Sequence, residues 1–158
     1  MCSPHTGPPL THSTRFYYNN GVGSPVAAAQ GLGYLQEFIA RFTQTRPQGY
    51  STINTTLDNN VTFFPVNQSI YADATHEVVV LDVLTALNLT NIFGPKPVNP
   101  TKRTPGQPFV ASQTVPFATY LVVQVLECVH CKPTKQIRFI VCVLACLLAL
   151  VHTLNNHQ

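Results

Sequence analysis

The sequence predicts an α/β protein, and two kinds of apolar pattern predict it. Residues 25–43 and 79–87 repeat apolar side chains at helical intervals, whereas residues 70–74, 121–128 and 136–141 are short runs suited to strands. The polypeptide between them is rich in proline, asparagine and threonine, which marks it as exposed loop. With 158 residues and 45% hydrophobic content, the chain has the material for one core.

Taken in order, the first 24 residues carry Pro, Gly, His and Asn without a period and are expected to be loop. Leu32, Leu35, Ile39 and Phe42 then define one face of an amphipathic helix, with Gln36 and Arg41 turned away. Residues 43–69 contain Arg46-Pro47, Asp58-Asn59-Asn60 and Phe64-Pro65, all turn formers, and read as a long surface excursion. A strand over 70–74 should lead through Thr75-His76-Glu77 into a second helix, on which Val79, Val83, Leu84 and Leu87 share a face. After a proline-rich loop at 94–108, the runs 121–128 and 136–141 should pair as a hairpin through Lys132-Pro133-Thr134-Lys135.

The tail admits two readings. Residues 139–151 hold no charge, and Arg138 and Asn155-Asn156-His157 could flank a membrane segment over 139–154. A spanning helix needs about 20 apolar residues, however. The competing reading makes 137–141 a core strand and everything after it foreign to the fold.

Charged residues are only 9% of the chain and the net charge is +3, so no basic stripe offers itself to nucleic acid. N-x-[ST] sequons stand at Asn54, Asn60, Asn67 and Asn88, the first three inside the polar excursion, which points to a secreted, glycosylated protein. Residues 1–15 have no apolar stretch able to act as a signal peptide, so a missing upstream part is expected. The five cysteines cannot all pair within the chain. Cys128-Val-His-Cys131 has the spacing of half a zinc site, but no second half accompanies it; Cys128 is expected instead to end a strand and pair with a distant cysteine. No metal and no cofactor are called for.

Three separated segments carry a resemblance. Phe16-Tyr17-Tyr18 with Gly23-Ser24-Pro25 and the helix ending at Arg41 is similar to a stretch of fungal phytases in which a Tyr-rich loop enters a helix. Ile70-Tyr71-Ala72-Asp73-Ala74-Thr75-His76-Glu77 resembles the family's strand ending in a His-Asp pair, and Thr114-Val115-Pro116-Phe117-Ala118 a third family stretch. The chain thus resembles the histidine acid phosphatases, in the phosphoglycerate mutase-like superfamily, over residues 16–141. The resemblance implies part of a three-layer α/β domain with an incomplete sheet, a leader at 1–15 and a hydrophobic tail at 142–158 that do not belong to it, and a secreted enzyme acting on phosphomonoesters. The family's Arg-His-Gly-x-Arg-x-Pro motif, whose His is the nucleophile, has no counterpart, since the chain contains no Arg-His dipeptide.

Such an enzyme passes phosphate to a histidine and then to water, and the departing alkoxide needs a proton as the P–O bond breaks. The resemblance places Glu77 as that proton donor, where the family usually has Asp, and His76 as a ligand of a phosphate oxygen. Residue physics alone offers a plainer account, in which Glu77 complements the helix dipole and His76 is a turn residue. Asp73 is expected to be a buried, hydrogen-bonded carboxylate without a catalytic role, and Arg15 and Arg41 to be structural. The chain is expected to be inactive alone. The alternative is a non-enzymatic, small glycosylated or membrane-anchored protein.

Overall fold

The computed structural model describes residues 11–48, 52–89, 91, 97–102, 106, 109–130, 134–143 and 146–152. Much of the expected loop at 94–108, Cys2, Cys131 to Pro133 and residues 153–158 lie outside the described residues. The chain divides into a helical unit up to Ala111 and a second unit from Ser112 onward.

Among the described residues the first unit holds α1 (Thr11–Asn19), α2 (Ala27–Thr43), the single turn α3 (Thr55–Asp58) and α4 (Glu77–Ala86). The expected helices are present as α2 and α4, but the face expected of α2 is corrected: Leu32 and Ile39 are exposed, and the small residues Ala27, Gly31 and Ala40 are the buried ones, because the neighbouring polypeptide approaches the helix backbone itself. Ser24 Oγ accepts hydrogen bonds from the N–H groups of Val26 and Ala27, satisfying donors at the start of α2. At its other end Gln44 turns into the left-handed region (φ 55°), and the Thr45 N–H closes onto the Ala40 carbonyl.

α2 and α4 pack directly on each other, and Gly31 lets them do so. A Cβ on Gly31 would lie 2.4 Å from the Asp82 carbonyl oxygen and 2.9 Å from the Ala86 Cβ, so the helix backbones approach as closely as only glycine permits. Around this crossing Ala27, Leu81, Val83 and Leu84 are buried, Leu81 and Leu84 with 0% exposure. Asn20, just after α1, ties in from the side. Its amide donates to both carboxylate oxygens of Asp82 at 3.1 Å, and its carbonyl accepts from Thr85 Oγ1 at 3.3 Å.

Of the first 24 residues, expected to be loop, 1–10 lie outside the described residues and 11–19 form α1 instead. Phe16 and Tyr17 are buried, His12 stacks on Phe16 one turn away, and Tyr17 meets Phe109 edge-on. The Tyr18 hydroxyl donates to the Val98 carbonyl at 2.8 Å. The helix is therefore held by aromatic side chains consecutive in sequence, whose partners lie some 80 to 90 residues downstream.

The strand expected over residues 70–74 is also corrected. The segment is neither helix nor strand and pairs with no strand among the described residues. Its side chains are engaged by α2 instead of by a ladder, and two alanines and an aspartate give little reason to prefer a sheet.

The second unit holds a three-stranded antiparallel sheet in the order β1-β2-β3, formed by β1 (Tyr120–Glu127), β2 (Lys135–Val143) and β3 (Cys146–His152). Ile137, Phe139 and Val141 are buried at alternate positions of β2, as one covered sheet face requires. Arg138 and Gln124 sit opposite each other and are hydrogen-bonded through Arg138 Nε at 2.9 Å. Beyond β1, the Cys128 N–H donates to the Thr134 carbonyl, continuing the hairpin, and Cys128 is disulfide-bonded. The membrane segment considered for residues 139–154 gives way to strands: 139–143 belong to β2 and 146–152 to β3, which pairs along it from Ile137↔His152 to Val143↔Cys146. Among the described residues no helix is long and apolar enough to cross a membrane. An uncharged run rich in β-branched residues and interrupted within thirteen positions satisfies its backbone by pairing back on itself.

Candidate active site

His76 and Glu77 stand where this segment enters α4. His76 is the N-cap, with extended backbone (φ −96°, ψ 157°), and its carbonyl accepts from the N–H groups of Val79 at 3.0 Å and Val80 at 3.3 Å. Glu77 is the first helical residue. Both side chains are exposed, and neither makes a hydrogen bond or ion pair among the described residues. The N–H groups of Glu77 and Val78 likewise donate to nothing described. The result is a helix start with free donors, the positive end of the helix dipole, a carboxyl and an imidazole in successive residues. That combination suits an anion with a transferable proton nearby.

The segment before it is gripped from α2. Tyr34, Glu37 and Arg41 fall three and four residues apart and so form one stripe of that helix. Arg41 Nη1 donates to Asp73 Oδ2 at 2.6 Å, and Tyr34 OH donates to the same oxygen at 3.3 Å. Glu37 lies 4.0 Å from Arg41 Nη2. The guanidinium also lies over two rings, 4.9 Å from the Phe64 centroid and 5.1 Å from that of Tyr71. Asp73 is thus hydrogen-bonded as expected but not buried, its side chain being 37% exposed.

Nearby, Arg46 donates to the carbonyls of Asp58 and Phe64, which folds the 46–64 excursion onto itself. Burial holds the carboxyls of Glu37 and Asp58 above the usual carboxylate range, with Arg41 opposing the shift in both and Arg46 also opposing it in Asp58. Burial likewise raises the Tyr34 hydroxyl, and the neighbouring Asp73 charge adds to it. On α4, Asp82 is 6% exposed, and burial raises its carboxyl against the stabilising bond from Asn20.

The sequon asparagines Asn54, Asn60, Asn67 and Asn88 are all exposed. Asn54 and Asn60 share a geometry, each side-chain oxygen accepting from the N–H of the threonine two residues on, at 3.1 and 2.9 Å. Asn88 is in the left-handed region (φ 54°) just past α4. Arg15 is exposed on α1. Among the described residues no group of His, Cys, Asp and Glu is arranged to hold a metal ion.

The structure therefore brings together the two sequence-predicted site residues and adds a support that sequence reasoning missed. Arg41 was expected to face away from the core and to be structural, with no partner named. The signal for its partnership was the stripe Tyr34, Glu37, Arg41, which holds both charged residues of α2. Asp82 was missed as well, although an acid inside Val78-Val79-Val80-Leu81-Asp82-Val83-Leu84 is a conspicuous break in an apolar run.

Comparison with known proteins places the chain in a family. The profile of the histidine phosphatase superfamily (branch 2) matches residues 9–144. Phytase A of Aspergillus awamori is 39% identical over 119 residues, covering 73% of this chain and 25% of its own length. Phytase A of Aspergillus oryzae is 38% identical over 115 residues, covering 71% and 24%, and one from Aspergillus terreus 37% over 117 residues, covering 71% and 24%. The chain spans about a quarter of the length of these curated relatives. On a match that runs from α1 through α4 to the first two strands, the chain belongs to branch 2 of the histidine phosphatase superfamily.

Proposed function

We propose that this chain supplies the proton-donor part of a phosphomonoester-hydrolysing site, of the phosphohistidine type used by histidine acid phosphatases. One observation carries the reading. His76 and Glu77 stand unengaged at the start of α4, beside the free N–H groups of Glu77 and Val78, inside the region that matches the family. In this reading His76 and the helix amides hold phosphate oxygens, and Glu77 delivers the proton that the departing alkoxide needs. A glutamate replaces the family's usual aspartate and reaches one methylene further, which moves the acid without changing its chemistry.

The nucleophile motif Arg-His-Gly-x-Arg-x-Pro is not within these 158 residues, so another stretch of polypeptide completes the site. Nucleophile and acid act as a unit, and losing one member costs nearly as much as losing both. The completed domain has the three-layer α/β arrangement of its superfamily and its substrate is a phosphate monoester. The product is secreted and carries glycans on Asn54, Asn60, Asn67 and Asn88, whose exposure supports their modification.

The test is to assay the 158-residue chain alone and joined to the nucleophile-bearing part of a relative. The chain alone should leave p-nitrophenyl phosphate untouched. The joined protein should hydrolyse it, and His76→Ala should weaken its action on every phosphate ester tried. Turnover by the chain alone, or a joined protein indifferent to His76→Ala, refutes the reading.

A further inference from the structure

The segment that presents His76 and Glu77 has an unusual means of support. No backbone hydrogen bond from another element reaches residues 70–75 among the described residues, and no strand lies beside them. A segment without a ladder is ordinarily free to move, yet the direction in which it enters α4 decides where the imidazole and the carboxyl point. Something else must fix it.

Tyr71 and Asp73 are two residues apart in the chain. Both are engaged by Arg41, the first through its ring at 5.1 Å and the second through a bond of 2.6 Å. The guanidinium also lies over the Phe64 ring, at 4.9 Å. A planar cation layered on two rings, with one edge on a carboxylate, has its orientation fixed as well as its charge. Tyr34 adds a second donor to Asp73 from one end of the helical stripe, and Glu37 a second carboxylate to Arg41 from its middle. Asp73 lies three residues before His76, so the attachment is made at the last point before the site begins.

We infer that Arg41 is a positioning residue for the His76–Glu77 site, acting through Asp73 and Tyr71 to hold residues 70–76 in the conformation that presents the two side chains. This rests on the phosphate-site reading above for its purpose, but not for its geometry. A lysine at 41 would keep the charge and lose the planar stacking, so it should do the work only in part. An asparagine at 73 keeps the shape of the acceptor and loses its charge.

Backbone 15N order parameters of the full 158-residue chain test the inference. In the parent chain the amides of residues 71–76 should lie near the rigid value of about 0.85, and in Asp73→Asn and Arg41→Gln they should fall below about 0.6. Leu81 and Leu84 should keep their parent values, and Arg41→Lys should fall between. The inference is overturned if residues 71–76 are already mobile in the parent, if neither variant loosens them, or if Leu81 and Leu84 loosen equally, which would mark a general loss of stability. Titrating inorganic phosphate into the parent while following the His76 ring and the Glu77 and Val78 amides separates the two claims. Absence of any shift there counts against the phosphate site, while the order parameters still decide what Arg41 does.

Discussion

Two neighbouring regions of the helical unit are held in opposite ways. At the α2–α4 crossing, bare backbone at Gly31 lies against the Asp82 carbonyl with fully buried leucines on α4 beside it. Further along α2, the 70–76 segment is held by one arginine that reaches a half-exposed aspartate and lies over two rings. Packing of the first kind is dense and insensitive to salt, and its loss is felt by the whole unit. Attachment of the second kind contributes little to global stability, because an exposed ion pair is worth about 0 to 1 kcal/mol. It fixes a direction rather than a fold, which is what a short segment leading to a reactive pair requires.

If the contrast holds, substitutions should separate into those that unfold and those that only loosen. Leu84→Ala should act most strongly. Its side chain is fully buried, and removal from a packed core costs about 2 to 5 kcal/mol, read as a lower midpoint in urea denaturation. Gly31→Ala should come next. Helix propensity favours alanine by about 1 kcal/mol. The new methyl would nevertheless meet a backbone carbonyl that cannot turn aside, and overpacking of about 1 to 3 kcal/mol should outweigh the gain. A Gly31→Ala chain more stable than its parent would show that the helices part without cost.

The buried acids give a smaller, pH-dependent effect. Glu37, Asp58 and Asp82 all have carboxyls raised by burial, so the folded chain holds these protons more tightly than the unfolded chain does. The stability they contribute is complete below the ordinary carboxylate pKa, near about 4, and is lost as pH rises through their raised values. Melting followed across that window should show the midpoint falling with rising pH, and Asp82→Asn should flatten the trend. A midpoint that rises over the same interval would mean that the arginines beside Glu37 and Asp58 outweigh burial. Smallest of all should be the change in urea midpoint for Asp73→Asn. It should stay within the range of an exposed pair, about 1 kcal/mol or less, even though the same substitution frees residues 71–76.

How much of this could be read in advance follows the same division. α2, α4, β1 and β2 announced themselves through apolar patterns, which are a local signal, although only β2 buries its residues in the expected period and α2 leaves Leu32 and Ile39 exposed. α1 did not, since Phe16, Tyr17 and Tyr18 are adjacent rather than spaced, and Phe109 and Val98, which make them helical, are remote in sequence. β3 was hidden because an uncharged run has no period to distinguish a paired strand from an apolar helix. The 70–74 run was misjudged for the converse reason: a strand was expected, but among the described residues the segment pairs with no strand and is held by a helix. His76 and Glu77 were legible as a pair at a helix start. Their support was not, because Arg41 and Asp73 are 32 residues apart and nothing between them records the contact.

The central claim is that Glu77 is the acid. It is tested most directly by the dependence of rate on leaving group, in the chain joined to a relative's nucleophile-bearing part. Glu77→Gln keeps the shape of the side chain and removes the proton. Esters with poor alkyl leaving groups should then slow by about a hundredfold or more, while an activated aryl phosphate, whose leaving group hardly needs a proton, should lose far less. The plot of log kcat/KM against leaving-group pKa should accordingly steepen in the variant. Parallel lines for parent and variant would contradict the account and leave Glu77 as no more than a first-turn acid on α4.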